Sequence, residues 1–366
     1  MNDISAPPAL HDRVAGLAQQ TLAPLVIDID RDGLYPEAFL RELGALGGFS
    51  AALAAEDGGS GLASQIGVID TVGRVCGSTA FLVWCQTTCI WYLRHAPNAA
   101  VRERHLGPLL RGERLGGTGL SNAMKHLAGI EDIRLRARRD GSGYRIDGSL
   151  PWVSNIGSGH VFAAAAAVDD GGDRVLQRQC AQAGGSRHAC PALAGRGGTR
   201  TRTVRLHDVA IDADAVIAAP AEFAGYIRRI KPGFVLGQLG IGFGIVDACL
   251  RILRESAVSH GHVNTFLDQQ EAPLAAELAA ARAQAAALAD AADQGTVRPL
   301  DVLKLRAAAA ELALRAANAA VLHAGAKGYL IRHPAQRRLR EAVFVAIVTP
   351  ALKQLRKEIH ALEHAA

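Results

Sequence analysis

The sequence predicts an α+β protein with an N-terminal α-helical domain, a middle antiparallel β-sheet domain and a C-terminal helical bundle domain. Three observations predict this order. Apolar residues recur at three- and four-residue spacing over residues 9–115, which is the helical period. Residues 116–222 change to short alternating segments separated by glycine-rich turns. From residue 223 the chain returns to long helical patterns rich in Ala and Leu. We therefore place the domains at 1–115, 116–222 and 223–366.

The N-terminal region contains four segments of helical periodicity, at residues 14–25, 36–46, 65–76 and 79–94. The glycine-rich run at 58–61 interrupts the pattern before the third segment. In the C-terminal region, residues 237–244 resemble a dinucleotide fingerprint, but no strand precedes them. Glycines in a helix also permit close helix packing, and this is the interpretation that we favour.

The composition is that of a globular protein. The chain has 366 residues, of which 49% are hydrophobic, and a formal net charge of +5. A chain of this length can bury a large core. The longest apolar runs are interrupted by Arg, Gly or Asp, so we expect no membrane-spanning segment. The first eight residues lack the basic and apolar regions of a signal peptide, which predicts a cytoplasmic protein.

The cysteines and basic residues do not indicate metal or nucleic-acid binding. None of the six cysteines forms a C-x-x-C pair, and no nearby pair of histidines completes a metal-ligand spacing. Arginine clusters at 134–139 and 200–205 fall mostly on alternating strand positions, without interleaved aromatic residues. We interpret these arginines as lying on strand faces exposed to solvent. The alternative is that they bind a phosphate-bearing ligand. We expect neither nucleic acid nor a membrane as a partner.

A predicted hairpin in the middle region is the most informative segment. Strands at 135–138 and from Tyr144 onward flank a glycine-containing turn, and Asp147-Gly148 predicts a second turn. An indole at Trp152 and a hydroxyl at Ser154 follow. An aromatic side chain beside a hydroxyl donor could bind a flat ring with polar edges, such as a flavin. The alternative is a hairpin whose Trp152 belongs to the core.

This segment resembles a middle-domain pattern of the acyl-CoA dehydrogenase superfamily, which ends in W-I-T-N. Trp152 matches the Trp that packs by the flavin, Ser154 matches the Thr whose hydroxyl meets flavin N5, and Asn155 matches the Asn. Upstream, Ser121 matches the Thr of the family's T-E-P motif, and Asn122 replaces its Glu. The resemblance implies FAD as the cofactor, with Ser121, Trp152 and Ser154 among the residues that hold it.

Weaker matches to the same family follow in the expected order, at residues 55–61, 76–80, 109–113, 323–329 and 337–342. In the fourth of them, Gly325 and Gly328 match glycines between the last two bundle helices, and the resemblance implies that they bind the cofactor. It also implies a C-terminal four-helix bundle and a homodimer or homotetramer assembled through that bundle.

Two departures from the family concern the chemistry. Thr349 stands where most members carry the Glu that takes the substrate α-proton, and residues 229–235, the other known position, hold no carboxylate. A neutral hydroxyl cannot replace such a base without an activating partner. The family's interface Arg is also missing from residues 259–267, so we expect FAD to bind weakly or a smaller flavin, FMN, to replace it.

The resemblance implies a flavin-dependent oxidoreductase that acts on the CH–CH group of an acyl-CoA-like thioester. A flavin-dependent monooxygenase on the same fold is one alternative, because it needs no α-proton base. A non-catalytic member or subunit is the other. Residues 174–198 show neither strand alternation nor a helical period. They predict a loop, with a compensated reading-frame error as the alternative explanation.

Overall fold

The structure, a computed structural model, describes residues 9–53, 61–168, 174–179, 185–189 and 197–364. Two of the six cysteines, Cys180 and Cys190, lie outside the described residues, as does most of the family match at 55–61. The other four cysteines are buried free thiols.

The N-terminal region is helical, as predicted. Its helices are α1 Leu10–Leu17, α2 Val26–Arg31, α3 Glu37–Ala45, α4 Gly61–Val75, α5 Gly77–Arg94 and α6 Ala99–Leu110. The segment predicted at 14–25 is helical throughout, although a π-helical turn and a 3-10 turn follow α1 and lead into α2. Pro24 lies in the second turn, where it cannot donate a backbone hydrogen bond.

The middle region forms one eight-stranded sheet with the order β6-β7-β3-β2-β4-β5-β8, and β1 pairs with β4. The prediction of a purely antiparallel sheet is wrong, because β4 runs parallel to both β1 and β2. Parallel pairing requires long crossovers, and the chain between these strands supplies them. The elements are β1 Gly116–Thr118, α7 Ser121–Leu127, β2 Leu135–Asp140, β3 Gly143–Val153, β4 Val161–Val168, β5 Arg174–Gln179, β6 Gly185–Ala189, β7 Arg202–Ile211 and β8 Val216–Ala218.

The predicted hairpin is confirmed, since β2 and β3 pair antiparallel with Asp140 opposite Gly143. The second predicted turn, at Asp147-Gly148, is wrong. β3 runs through these residues with a register shift against β7, and Gly148 adopts a φ of 130°. A β-bulge absorbs the glycine without ending the strand.

The loop predicted at 174–198 is also wrong in part. β5 pairs with β4, and β6 pairs with β7, both antiparallel. Residues 180–184 and 190–196 lie outside the described residues, and the frame-error alternative stays a hypothesis.

The C-terminal region consists of α8 Phe223–Asn264, α9 Glu271–Asp293, α10 Pro299–Ala324, α11 Pro334–Ile347 and α12 Leu352–Glu363. Helices α8 to α11 pack together as a bundle, and α12 lies against α10. Glycines let α8 pack closely on α4. A Cβ on Gly240 would lie 2.5 Å from Ile66 O, and one on Gly244 would lie 2.5 Å from Asp70 O. This confirms the packing interpretation of residues 237–244.

By length and composition alone, α8 could cross a membrane, contrary to the expectation that no apolar run is long enough. Its apolar window has a mean hydropathy of 1.6, but 94% of the window is buried inside the protein. These contacts identify the apolar part of α8 as a core segment, whereas its C-terminal part is largely exposed. The N-terminal helices and the bundle share this core, whereas the interior of the sheet forms a separate one.

Candidate functional site

Trp152 projects from a distortion near the end of β3. The pairing with β7 shifts register between Leu150 and Val153, so an extra residue is accommodated in β3. Trp152 adopts a φ of 65°, which is uncommon for any residue other than glycine. Its side chain is 50% exposed, so the core alternative for Trp152 is wrong. The bulge turns the indole toward solvent, where a ligand can stack on it.

Ser154 follows two residues later and is buried. Its Oγ shares a 2.8 Å hydrogen bond with Thr201 Oγ1, which is in turn 2.8 Å from Thr199 Oγ1. The backbone of Ser154 also forms an isolated bridge with Thr118, the last residue of β1. Three hydroxyl groups therefore lie in a chain beside the exposed indole.

Asn155 ties this segment to the neighbouring strand and to the N-terminal helices. Its Nδ2 donates to Gly116 O at 2.6 Å, and its Oδ1 accepts from the hydroxyl of Tyr35 at 2.6 Å. Asn155 is fully buried and has a φ of 57°. Two unusual backbone conformations within four residues are characteristic of a segment held in place for ligand binding.

A cluster of Tyr35 and Glu37 from the N-terminal region with His160 and Arg200 from the middle region surrounds Asn155, and we call it the Tyr35 cluster. The Arg200 guanidinium lies 3.8 Å from the centre of the Tyr35 ring and 3.4 Å from Glu37 Oε2. His160 Nδ1 donates to Asn155 O at 3.0 Å. Burial raises the pKa of Tyr35 and lowers the pKa of His160, so both side chains favour their neutral forms. Sequence reasoning missed this cluster, because its members are far apart in the chain and match no motif.

Ser121 is the first residue of α7 and follows β1 directly, three residues after Thr118. Ser121 is therefore near in sequence to Thr118, whose backbone forms the bridge with Ser154. Asn122, in the place of the family's Glu, is not free for chemistry. Its Nδ2 donates to Glu131 Oε1 and Asp132 O, and its Oδ1 accepts from the backbone N–H of Arg134. Asn122 thus braces the loop before β2.

Thr349 lies in a polar network built on a buried arginine. Thr349 O accepts from Gln238 Nε2 at 2.8 Å, and Gln238 Oε1 accepts from Arg306 Nε at 2.9 Å. Arg306 Nη2 donates to Val345 O at 2.6 Å. Burial lowers the pKa of Arg306 to about 10. Within the described part of the chain, no hydrogen bond or ion pair joins Thr349, Gln238 or Arg306 to a carboxylate.

Glu341, a carboxylate of the preceding helix α11, is already engaged. It pairs with Arg338 at 2.7 Å and Arg337 at 3.1 Å, and it accepts from the backbone N–H of Gly77. Both of its oxygen atoms therefore already accept hydrogen bonds. The described residues around Thr349 therefore offer hydrogen bonds but no base to take a proton.

Gly325 and Gly328 lie at the far end of α10, in a 3-10 turn that packs against α10 and α11. Arg306 and Ala324, the last residue of α10, are about 18 residues apart, which corresponds to roughly 27 Å of helix. The turn and the Thr349 network therefore lie toward opposite ends of α10.

The glycine turn makes its contacts within the bundle. Gly325 has a φ of 62°, and Gly328 O accepts from Gln336 Nε2 at 2.7 Å. In the described part of the chain, no hydrogen bond joins this turn to the sheet.

A cleft lies between α4, α5 and α8. Its cavity volume is about 20 Å³, which is room for a water-sized group. Trp91 of α5 lines the cleft and packs over Gly233 of α8, and Trp84, also in α5, packs over Gly237. Their Nε1 atoms donate to Ile230 O and Phe234 O, at 3.0 Å and 3.2 Å. The cleft is lined by Phe49, Ala52, Leu53, Leu62, Gln65, Ile69, Thr87, Thr88, Ile90, Trp91, Arg94, Gly233 and Gly237.

Known proteins of the same fold cover nearly the whole chain. The structure of butyryl-CoA dehydrogenase from Megasphaera elsdenii superimposes with a TM-score of 0.85 at 21% identity, covering 98% of this chain and 100% of that one. A glutaryl-CoA dehydrogenase in complex with glutaryl-CoA gives a TM-score of 0.87 at 20% identity, with coverages of 99% and 97%. These likenesses confirm the predicted fold class.

Sequence comparisons give the family. A probable acyl-CoA dehydrogenase of Bacillus subtilis is 24% identical over 362 residues, covering 92% of each chain. The glutaryl-CoA dehydrogenase of Desulfococcus multivorans is 25% identical over 355 residues, covering 91% of this chain and 90% of its own length. The family models for the acyl-CoA dehydrogenase N-terminal domain and C-terminal domain match residues 8–113 and 232–349, which together make up more than half of the chain. The chain therefore belongs to the acyl-CoA dehydrogenase superfamily.

Proposed function

We propose that this protein is a FAD-dependent oxidoreductase that acts on an acyl-CoA-like thioester. The observation that carries the proposal is the indole of Trp152, which a bulge and a φ of 65° hold half exposed beside Ser154. An exposed aromatic plate next to fixed hydroxyl groups is suited to a flat ring with polar edges. Relatives named for acyl-CoA substrates support the thioester.

Three side chains of this protein would hold the flavin ring. Trp152 would pack against it, and the hydroxyl groups of Ser154 and Ser121 would lie at its polar edge. Thr201 fixes the Ser154 hydroxyl through their 2.8 Å hydrogen bond. When bound, FAD supplies the capacity to accept a hydride from a carbon atom. FMN carries the same ring, so these three side chains would hold either flavin.

A monooxygenase on the same fold is the second candidate, and Thr349 is the observation that favours it. Among the described residues, the network of Thr349, Gln238 and Arg306 contains no carboxylate that could take an α-proton. Flavin chemistry with oxygen needs no such base. The two candidates share the flavin site and differ only in the reaction that follows.

The absorption spectrum of the purified protein, loaded with FAD and mixed with acyl-CoA thioesters without oxygen, tests both candidates. Bleaching of the flavin band supports oxidation of the thioester. Bound flavin that does not bleach, but consumes oxygen once a reductase supplies reduced flavin, supports the monooxygenase. A protein that binds no flavin contradicts both and favours the non-catalytic alternative.

We also propose that the protein self-associates through an apolar surface at the distal end of the bundle, which we call the distal patch. Large apolar side chains are exposed there, with Phe266 and Tyr329 each 84% exposed. An apolar surface of this kind is characteristic of an interface. Gly325 lies within this patch, so self-association would let Gly325 and Gly328 of one copy approach a flavin held by another. The patch consists of Val258, Val263, Phe266, Leu322, Tyr329, Leu330 and Ile331.

A further inference from the structure

The turn that follows Trp152 has a strained backbone. Four residues other than glycine have a positive φ in the described part of the chain, and three of them lie together here. They are Trp152 at 65°, Asn155 at 57° and Arg200 at 43°. Asn155 N donates to Thr199 O at 3.0 Å, which joins the two strained segments. Such conformations persist only where their surroundings hold them, so the contacts around this turn determine its shape.

Asn155 receives these contacts from three other parts of the chain. Its Nδ2 donates to Gly116 O at 2.6 Å, and its backbone carbonyl accepts from His160 Nδ1 at 3.0 Å. Its Oδ1 accepts from the hydroxyl of Tyr35 at 2.6 Å. Of the three partners, Tyr35 is the one that belongs to the N-terminal region. Because Asn155 is fully buried, loss of the Tyr35 hydroxyl would leave its Oδ1 without that donor and without water to replace it.

The indole of Trp152 depends on this turn more than the hydroxyl of Ser154 does. Ser154 Oγ has a partner of its own, since it shares a 2.8 Å hydrogen bond with Thr201 Oγ1. Among the described residues, no hydrogen bond holds the side chain of Trp152, which is half exposed. The direction of the indole is therefore set by the backbone to which it is attached.

The ring of Tyr35 is fixed independently of its hydroxyl. The Arg200 guanidinium lies 3.8 Å from the centre of the ring. Burial raises the pKa of Tyr35, so the hydroxyl keeps its proton and donates it to Asn155. Replacing Tyr35 by phenylalanine thus removes one hydrogen bond and leaves the ring and its cationic neighbour in place.

We propose that Tyr35 is a positioning residue for the flavin, because its hydrogen bond to Asn155 fixes the turn that presents the indole of Trp152. The inference rests on the proposed function, since the flavin is the group that the indole would contact. It adds to the site a residue of the N-terminal region that lies 120 positions from Asn155 in the sequence.

Titration of the apoprotein with FAD, followed by flavin fluorescence, tests this proposal in a double-mutant cycle. The cycle compares the wild type, Tyr35→Phe, Trp152→Ala and the double variant. We expect Tyr35→Phe to weaken FAD binding about threefold, because a loosened turn presents the indole less often. In the Trp152→Ala background the same change should alter the affinity by less than about 1.5-fold, since no indole remains to be positioned. A merely structural role of Tyr35 would weaken binding equally in both backgrounds.

Tyr144→Phe is the matched control, because it removes a hydroxyl from the same strand near its other end. Tyr144 accepts from Arg139 Nη1 at 3.3 Å and lies eight residues before Trp152 in β3, which is roughly 26 Å of strand. It should bind FAD as tightly as the wild type.

Two results would overturn the inference and leave the proposed function standing. The first is a Tyr35→Phe variant that binds FAD as tightly as the wild type. The second is an equal loss of affinity with and without the indole of Trp152. If the wild type does not bind FAD at all, the proposed function fails and the inference fails with it.

Discussion

Trp152 adopts a backbone conformation that a bulky residue rarely occupies. Its φ of 65° is strained for a residue with a large side chain, and the fold leaves half of the indole in water. The surroundings maintain them, because Asn155 anchors the following residues to Gly116 and Tyr35. A strained, exposed aromatic residue that is held so firmly is best explained by a ligand that stacks on it.

Thr349 stands where the family resemblance places the catalytic Glu. The surrounding groups, Gln238 and Arg306, are hydrogen-bonded to each other and to backbone carbonyls. We predict that Thr349→Glu speeds the anaerobic bleaching of bound flavin by an acyl-CoA at least about a hundredfold, because a positioned general base contributes that much. Stopped-flow absorbance measures the rate.

Thr349→Gln serves as the control for this substitution, since Gln has nearly the same size as Glu and cannot take a proton. It should leave the bleaching rate at the level of the unmodified protein. If Glu and Gln at position 349 give the same rate, then the missing carboxylate is not what limits dehydrogenation.

The sequence identified Trp152, Ser154 and Ser121 because they are close in the chain to turns and to a family pattern. It could not identify Tyr35, since the Tyr35 hydroxyl donates a hydrogen bond to Asn155, which is 120 residues away in the sequence. It also missed Arg306, because the bundle contains many arginines and only the fold shows that this one is buried. Local patterns show which residues lie together along the chain, whereas burial and long-range contacts require the fold.

At the scale of elements, α5 and α8 interlock through two tryptophans and two glycines. Trp91 packs where α8 has Gly233, and Trp84 packs where it has Gly237. Phe234 lies between these glycines and meets Trp84 edge to face at 5.2 Å. The glycine pattern in α8 is therefore a packing requirement of the indoles.

We predict that Gly233→Ala lowers the free energy of unfolding by about 1–3 kcal/mol, because the added methyl group would overlap the Trp91 ring. Gly16→Ala is the control. Gly16 is exposed in α1, and a Cβ there would have no atom within 4 Å, so this change should be neutral or stabilising by up to about 1 kcal/mol. Urea unfolding measures both. Equal effects of the two substitutions would contradict the interlocked packing.

The Tyr35 cluster contacts Asn155, just after the end of β3. It contains His160, whose pKa burial lowers. The charged groups acting on His160 are Arg200 and Arg41, which lower its pKa, and Glu37, which raises it. Its folded-state pKa is below the ordinary value of 6.5. The unfolded chain therefore takes up a proton that the folded chain resists as the pH falls below 6.5, and stability decreases there.

We predict that His160→Gln makes the loss of stability between about pH 7 and pH 5 shallower, because glutamine does not titrate and can still donate to Asn155 O. Thermal or urea unfolding across this pH range gives the slope. His207→Gln is the control, since the His207 side chain is 94% exposed on β7. If His160→Gln leaves the slope of stability against pH unchanged, then protonation of His160 does not contribute to the pH dependence of folding.

For the whole molecule, the order of helical, sheet and helical regions follows from periodicity alone, and the structure confirms that fold class. The parallel pairing of β4 with β1 and β2 could not be predicted, because strand patterns do not specify which strands become neighbours. The strands β5 and β6 lacked alternation, so their pairing with β4 and β7 was also missed.

The distal patch is the surface through which we propose that the protein self-associates. We predict that the protein is a dimer or a larger oligomer and that Phe266→Asp shifts it toward monomer, since the substitution puts a charge in the apolar interface. Analytical ultracentrifugation measures the shift. Ile130→Asp, on an apolar residue that is 45% exposed outside the patch, should leave the assembly unchanged. A wild-type monomer at micromolar concentration would contradict the proposed interface.

The most direct test of the flavin site is a titration of the apoprotein with FAD, followed by flavin fluorescence, for the wild type and Trp152→Ala. Aromatic packing of this kind contributes about 1 kcal/mol, so we predict saturable binding by the wild type and roughly fivefold weaker binding by the variant. Trp152→Phe should retain most of the affinity, because it keeps an aromatic face. Wild-type protein that does not bind FAD, or a Trp152→Ala variant that binds it as tightly as the wild type, would contradict the assignment of Trp152 to the flavin site.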